Sequence, residues 1–259
     1  MRQLLILLIL VLFQLPVSAG QIEIRGIYQG ENLYVKNPFS ASGVGFCVYE
    51  VTVNGMTSTD EINSTAFEID LAVYGFSLGE PVVVAINYKE GCVPRVLNAE
   101  VLKAKVSFEI EEFKIKGNNV VWKTRNETGA LPFIIEQFRW NKWVAVGKVD
   151  GLGSPGINEY SSPVRMHSGE NRFRLRQTDS RKKSRISAEL VIQSSKEPVS
   201  FTVLPKNDRI EFSSATMYEL YDSYGRIVVK GYGESLNTGQ LEEGWYYLNY
   251  DNQLDMFKK

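Results

Sequence analysis

One histidine, His167, two cysteines and no apolar run beyond ten residues are the scarcities that bound this chain. Two thiols and one distant imidazole cannot close the four-ligand shell of a structural zinc site, so no metal is expected. Any serine or cysteine nucleophile would have to find its base at His167, in a loop between Met166 and Ser168. The apolar run, Leu4 to Phe13, is ten residues long and falls short of the roughly 20 that cross a bilayer as a helix. No amphipathic stretch exceeds about two helical turns, which argues against a helical bundle. A surplus of charge of one sign is missing too: 29 basic residues face 30 acidic ones. With that balance and no recognisable nucleic-acid module, nucleic acid is not an expected partner.

What is present is β-texture. The chain is 44% hydrophobic and 12% aromatic, with 13 Tyr, 13 Phe and 21 Gly. Short alternating runs recur every eight to twelve residues or so, separated by Gly, Asn, Ser and Pro. The N-terminus reads as an export signal: Met1-Arg2-Gln3 is positive, the apolar run follows, and Val17-Ser18-Ala19 ends it with small residues. Cleavage after Ala19 leaves a mature chain without a transmembrane span, and the protein is expected to be exported. Charge divides what remains: 6 basic against 10 acidic residues over 20–105, 15 against 10 over 106–195, and 7 against 10 over 196–259. These are the expected module boundaries, giving three consecutive small immunoglobulin-like or fibronectin-III-like β-sandwiches after a signal peptide at 1–19. Lys196-Glu197-Pro198 is expected to give the second boundary some freedom.

In the first module, strands are expected at Ile22 to Ile27, Phe46 to Val53, Phe67 to Leu71 and Val82 to Ile86, the last a central strand. Asn54-Gly55 is a hairpin signal, because a type I′ turn needs two residues tolerant of positive φ. Cys47 and Cys92 both lie here, behind the export signal. An oxidising compartment favours a disulfide between them. Two buried free thiols, or a reactive pair, are the alternatives.

The tail carries a resemblance. Tyr218 to Val229 includes Tyr221-Asp222 and Gly225-Arg226, Leu241 to Leu248 includes Gly244-Trp245-Tyr246-Tyr247-Leu248, and Leu254 to Lys259 ends in two lysines. This resembles the type A sorting domain of the bacterial type IX secretion route, a small β-sandwich at the C-terminus of exported cargo. The match covers about a sixth of the chain. Val203-Leu204-Pro205-Lys206-Asn207-Asp208 stands where that family opens with Tyr-Pro-Asn-Pro. The resemblance implies the type IX machinery as a partner, and a location outside the cell, at its surface or at the outer membrane; a retained tail would leave the protein periplasmic. The middle segment is similar to the fibronectin-III-like module that often precedes such a domain: Val121-Trp122-Lys123-Thr124, Pro132 to Gln137, Trp143 to Val149, Asn158-Glu159-Tyr160 and Asn171 to Asp179 follow that order. Phe173 and Leu175 point one way and Arg172, Arg174 and Arg176 the other, so one face packs and one stays wet. Trp122 and Trp143 are read as core.

Two surface features stand out in the middle module. Trp140 sits in an Arg139-Trp140-Asn141-Lys142 turn, where it either meets a partner or covers a neighbouring module. Arg172, Arg174, Arg176, Arg181, Lys182, Lys183 and Arg185 form a positive stripe that either binds an anionic glycan or acidic protein, or is a solvated face or a dock for the chain's own acidic modules.

A catalytic set is not expected. Gly151-Leu152-Gly153-Ser154-Pro155-Gly156 satisfies a dinucleotide fingerprint, but Ile157 to Pro163 has no helical pattern, so it reads as a strand-to-strand loop and no cofactor is expected. Glu109, Glu111, Glu112, Glu242 and Glu243 are glycosidase candidates by abundance only. The expectation is a non-enzymatic exported adhesion, scaffold or envelope-complex component. A glycan- or small-ligand-binding module, with loops around Asn37-Pro38-Phe39 and Tyr74-Gly75-Phe76 as aromatic platforms, is one rival; a hydrolase with an unrecognised site is the other.

Overall fold

In the computed structural model the described residues, 20–259, form two compact units, one ending at Lys103 and the other running Ala104–Lys259. The expected signal segment, 1–19, lies outside the described residues. Among the described residues the only helical backbone is three short 3-10 segments, and the fold class is all-β.

The first unit contains β1 (Gly20–Ile27), β2 (Leu33–Lys36), β3 (Val48–Val53), β4 (Met56–Thr57), β5 (Ala66–Ile69), β6 (Pro81–Tyr88) and β7 (Arg95–Val96). They form two antiparallel sheets, ordered β1-β6-β3-β4 and β5-β2-β7, with β6 central as its apolar sequence predicts. Val51, Val53, Val84 and Ile86 from one sheet meet Leu33, Val35 and Ile69 from the other, all 2% exposed or less. Asn54 and Gly55 have φ of 48° and 82°, the pair of positive values a type I′ turn requires. Cys47, fully buried, is bonded to Cys92.

The second unit holds two cores. Its first sandwich comprises β8 (Glu109–Lys116), β9 (Asn119–Arg125), β10 (Phe133–Arg139), β11 (Lys142–Val149), β12 (Asn158–Pro163), β13 (Gly169–Thr178), β14 (Ser184–Ile186) and β15 (Leu190–Ser194). One sheet runs β12-β9-β8; the other runs β11-β10-β13, with both β14 and β15 pairing β13. This is a fibronectin-III-like arrangement of three strands against four or more. Trp122 is its centre, 1% exposed, stacked on Tyr160 at 5.2 Å and edge-on to Phe133 at 5.6 Å. Phe173 and Leu175 are fully buried, as the alternation in β13 predicts. Burying side chains of this size stabilises by about 1.5–3 kcal/mol each.

Trp143 departs from the core expectation. It pairs with Phe138 across the β10–β11 hairpin and meets it edge-on at 5.3 Å, half-buried on the outer face. Side chains alternate with period two, and β11 carries one extra residue, Val146, between the pairs Ile135–Gly147 and Glu136–Ala145; this bulge reverses the faces of β11 beyond it, so Trp143 falls opposite the outward Phe138 while Gln137 and Arg139 continue the inward row of Phe133 and Ile135.

The second core is built by β16 (Phe201–Leu204), β17 (Arg209–Tyr221), β18 (Ile227–Asn237), β19 (Trp245–Tyr250) and β20 (Gln253–Lys258), ordered β16-β17-β19-β20 with β18 also on β17. Ile210, Leu220 and Leu248 are fully buried in it. The Asp222 carboxylate closes the β17–β18 turn, accepting from the main-chain N–H of Tyr224 and Arg226 at 2.9 and 3.0 Å and from the Arg226 guanidinium at 2.7 Å. Gly225 supplies the positive φ, 76°, that this turn needs. The tail motif residues Asp222, Gly225 and Arg226 therefore build a turn.

Candidate interaction site at the module join

At one end of the first sandwich of this unit the interior turns polar: Gln137 and Asn171 are fully buried, and Arg139 and His167 are 2% exposed. Asn171 Oδ1 accepts from Gln137 Nε2 at 2.7 Å and from the His167 N–H at 3.0 Å, so β10, β13 and the loop before β13 are tied together. Arg139 donates to Gln137 Oε1 at 2.7 Å, to the Arg165 carbonyl at 2.8 Å and to the Asp251 carbonyl at 3.0 Å. All three acceptors are neutral oxygens. Burial pushes the Arg139 pKa down to about 10, and the guanidinium stays charged at neutral pH.

Asp251 begins the β19–β20 turn with φ of 46° and is 2% exposed. Its carboxylate accepts from Ser168 N at 3.0 Å, from Ser168 Oγ, and from Val199 N at 3.3 Å. Val199 follows Lys196-Glu197-Pro198, so the segment expected to be free is held at its end.

Trp140 does not stand at a free tip. Trp140 and Asn141 have φ of 52° and 58°, a two-residue hairpin in which a bulky residue occupies left-handed backbone. Its N–H donates to Asn252 Oδ1 and its indole Nε1 to the Tyr250 carbonyl, both at 3.4 Å. Lys142 follows it across the join, donating to Glu219 Oε2 at 2.5 Å and to the Tyr221 hydroxyl at 2.6 Å. Two hairpin tips, β10–β11 and β19–β20, thus dock on each other. Trp140 therefore contacts the β19–β20 turn of its own chain.

The basic stripe separates into two parts. Arg174 and Arg176 share the Glu136 carboxylate at 2.7 and 2.8 Å, and Arg172 meets Glu189 at 2.7 Å. Arg174 also lies over the Trp143 ring at 4.1 Å. These three are structural rather than a free anion surface, because each has a carboxylate on its own sandwich. Lys182 and Lys183 are exposed in the β13–β14 turn, where Asp179 Oδ1 accepts from the main chain of Arg181 and Lys183 at 2.9 and 3.0 Å. Arg185, also exposed, lies over Phe108 at 5.6 Å.

Other candidates have plain structural roles. Arg125 pairs with both Glu109 and Glu111, at 3.0 and 2.7 Å, and Glu112 pairs with Lys114. Tyr74 and Phe76 pack against the first unit's core rather than forming a platform, whereas Phe39 is 62% exposed and stacked on Phe46 at 4.8 Å. A side chain at Gly151 would lie 2.4 Å from the Leu131 carbonyl and one at Gly153 2.4 Å from Ala130 N, so these glycines admit neighbouring backbone in a strand-to-strand loop. The Gly153 N–H and the Tyr160 hydroxyl both donate to the buried Glu127. Burial is the main reason the Tyr160 pKa is pushed up to about 12.

No nucleophile elbow is expected, yet Gly75-Phe76-Ser77-Leu78-Gly79 spells its Gly-x-Ser-x-Gly string. It lies in a turn after the 3-10 segment Ala72–Tyr74 and leads into β6, not from a strand into a helix as a nucleophile elbow does. The chain's one histidine is buried in the second unit against the Ser168 carbonyl. No group of three or more metal-ligating side chains occurs among the described residues. No helix among them is long and apolar enough to cross a membrane.

No family model matches the chain, and no curated protein matches it. Among solved structures it is similar to the FN1–FN3 domains of chicken CNTN1, at 11% identity over 90% of this chain and 89% of that one, TM-score 0.24. It is also similar to the central fibronectin-III array of RIM-binding protein, at 11% identity over 91% and 93%, TM-score 0.21. Dimeric latent PorU from Porphyromonas gingivalis is similar at 12% identity over 93% of this chain and 29% of that one, TM-score 0.21. At these scores the likenesses carry no argument about activity, and the all-β sandwich architecture rests on the strands, sheets and cores described above.

Proposed function

We propose that this is a non-enzymatic exported protein that works through its surfaces, as an adhesion, scaffold or envelope-complex component, delivered by the type IX route that its last module resembles. The observation that carries the reading is the use made of its reactive side chains. Arg139, Asp251, Lys142 and Glu219 join two modules, and Arg174 and Arg176 clamp Glu136. The Cys47–Cys92 bond supports an oxidising destination. Intact-mass and terminal-peptide analysis of native protein from medium, outer-membrane and periplasmic fractions tests it. A chain beginning at Gly20 and found in the medium or at the outer membrane is the expected result; a chain beginning at Met1 in the cytoplasm would overturn it.

A second reading, a glycan- or small-ligand-binding first unit, is favoured by the exposed Phe39 ring stacked on Phe46 one residue before Cys47. A glycan array with the parent and Phe39→Ala separates the two: signal lost in the variant supports binding, and an empty array for both removes it.

A further inference from the structure

We propose that β20 pairs antiparallel with β20 of a second copy of this chain, in a two-fold dimer centred on Met256. β20 ends the strand order β16-β17-β19-β20, so among the described residues one of its sides has no strand beside it. Which groups face that side follows from the pairing with β19. Gly244 and Lys259 exchange both main-chain N–H···O bonds, at 3.4 and 2.9 Å, and so form a bonded pair. Bonded and non-bonded pairs alternate along an antiparallel ladder. Phe257, Asp255 and Gln253 therefore bond to β19, while Lys258, Met256 and Leu254 turn their N–H and C=O groups outward. All three are exposed. The Met256 N–H agrees with this direction: it donates to the adjacent Asp255 carboxylate at 2.9 Å, a local bond that an incoming carbonyl can replace.

An edge of open main-chain groups is a template for another strand. Register, charge and side chains select a second copy as that strand. Only outward-turned residues can exchange bonds across the new join. Centred on Met256, the pairing sets Met256 against Met256 of the copy, and Leu254 against Lys258 of the copy at either end, so the open groups of all three residues are used. Centred on Asp255, it would place two carboxylates opposite each other and leave Lys258 without a partner in the strand; centred on Phe257, it would leave Leu254 without one.

Charge excludes the parallel alternative. Lys258 and Lys259 lie together at one end of β20, and antiparallel pairing keeps the lysines of the two copies apart. The side chains on the exposed face match as well. Ile227, Tyr221, Tyr247 and Met256 stand opposite one another across β18, β17, β19 and β20, and all but the half-buried Tyr221 are exposed. Pairing at Met256 carries this row unbroken into the same row of the copy, and lays Leu254 beside the aliphatic stem of the copy's Lys258. The dimer needs only this sheet and is independent of the export route.

Sedimentation velocity of the chain from Gly20 to Lys259, at concentrations from about 1 to 300 µM, tests it. One strand pair makes a small interface, so a monomer–dimer equilibrium with a dissociation constant of about 10–100 µM is expected. Met256→Pro removes an N–H that β19 does not use, and should abolish the dimer while leaving the melting temperature near that of the parent. Met256→Lys, which opposes like charges at the axis, should abolish it with the backbone unaltered. Cysteine substitution reads the register, since Cys47 and Cys92 are already bonded to each other. Opposed Cα atoms of a bonded pair lie about 5.5 Å apart, within reach of a disulfide. Met256→Cys should therefore cross-link two chains in oxidised glutathione, whereas Leu254→Cys, displaced from its counterpart by about 13 Å along the strand, should not. A chain that stays monomeric throughout the range, a dimer as tight in either Met256 variant as in the parent, or cross-linking of Leu254→Cys as fast as that of Met256→Cys would each overturn the proposal.

Discussion

Arg139 donates from Nη1 to the main-chain carbonyl of Asp251 at 3.0 Å, across 112 positions of sequence. One side chain from the fibronectin-III-like sandwich thereby satisfies the turn that closes the last hairpin of the chain. The Asp251 carboxylate returns the link by accepting from Ser168. Each partner is 2% exposed, so water cannot replace either when the other is lost.

Asp251→Ala should therefore destabilise the second unit by about 2–4 kcal/mol, since it strands buried donors on Ser168 and Val199. Scanning calorimetry of the full chain checks it. The two cores of this unit are expected to melt together in the parent and in separate transitions in the variant. A single transition at the parent's temperature would show that the joint adds nothing.

The ion pair beside it sets a pH dependence. Burial works to raise the Glu219 pKa, but hydrogen bonds from Lys142 and Tyr221 outweigh it and leave the carboxyl below its usual range. A depressed folded-state pKa contributes stability above the unfolded value, about 4.3, and loses it as pH falls through the folded value. Lys142→Ala should lower stability at pH 7 and converge with the parent in strong acid. Urea midpoints measured from pH 7 down to pH 2 decide this; a constant difference across that range would contradict it.

The glycines of the Gly151-x-Gly153-x-x-Gly156 loop should separate sharply. A side chain at Gly153 would sit 2.4 Å from Ala130 N on backbone of φ 71°, so Gly153→Ala should cost more than about 2 kcal/mol. At Gly156 the nearest atom, Ser154 Oγ, is 3.7 Å away, and Gly156→Ala should stay within about 0.5 kcal/mol. Equal effects in thermal unfolding would mean that close backbone approach is not what these glycines serve.

Charge reversal divides the basic stripe in the same manner. Arg174→Glu with Arg176→Glu leaves Glu136, 6% exposed, facing like charge, and should destabilise by about 3–5 kcal/mol. Lys182→Glu with Lys183→Glu acts on an exposed turn and should change stability by less than about 0.5 kcal/mol. Chemical denaturation of both pairs of variants provides the comparison.

Much of the fold was legible in short-range pattern. The alternation Arg172-Phe173-Arg174-Leu175-Arg176 places its own faces, and Asn54-Gly55 names its own turn. Cys47 and Cys92 were picked out by their number and compartment, and they are bonded. Trp143 faces outward because one extra residue in its own strand, Val146, reverses which positions face inward, and a bulge leaves no mark in hydrophobic period. Glu136 was not seen as the counter-charge of Arg174 and Arg176 because strand adjacency, not sequence distance, brings them together. The site itself was the least legible part. Trp140 drew attention as an aromatic in a turn, yet its partners Tyr250 and Asn252 lie 110 and 112 positions away, in a turn whose own residues signal only a turn.

The clasp formed by Trp140, Arg139 and Asp251 also sets the outcome of limited digestion. Lys196-Glu197-Pro198 is exposed and contains the basic residue a trypsin-like protease would attack, but the covalent bond there is only one of the ties between the two cores. A chain nicked at Lys196 should travel as one particle through a sizing column and part into two bands only in denaturant. Such a protein could lose the continuity of its backbone and keep its shape.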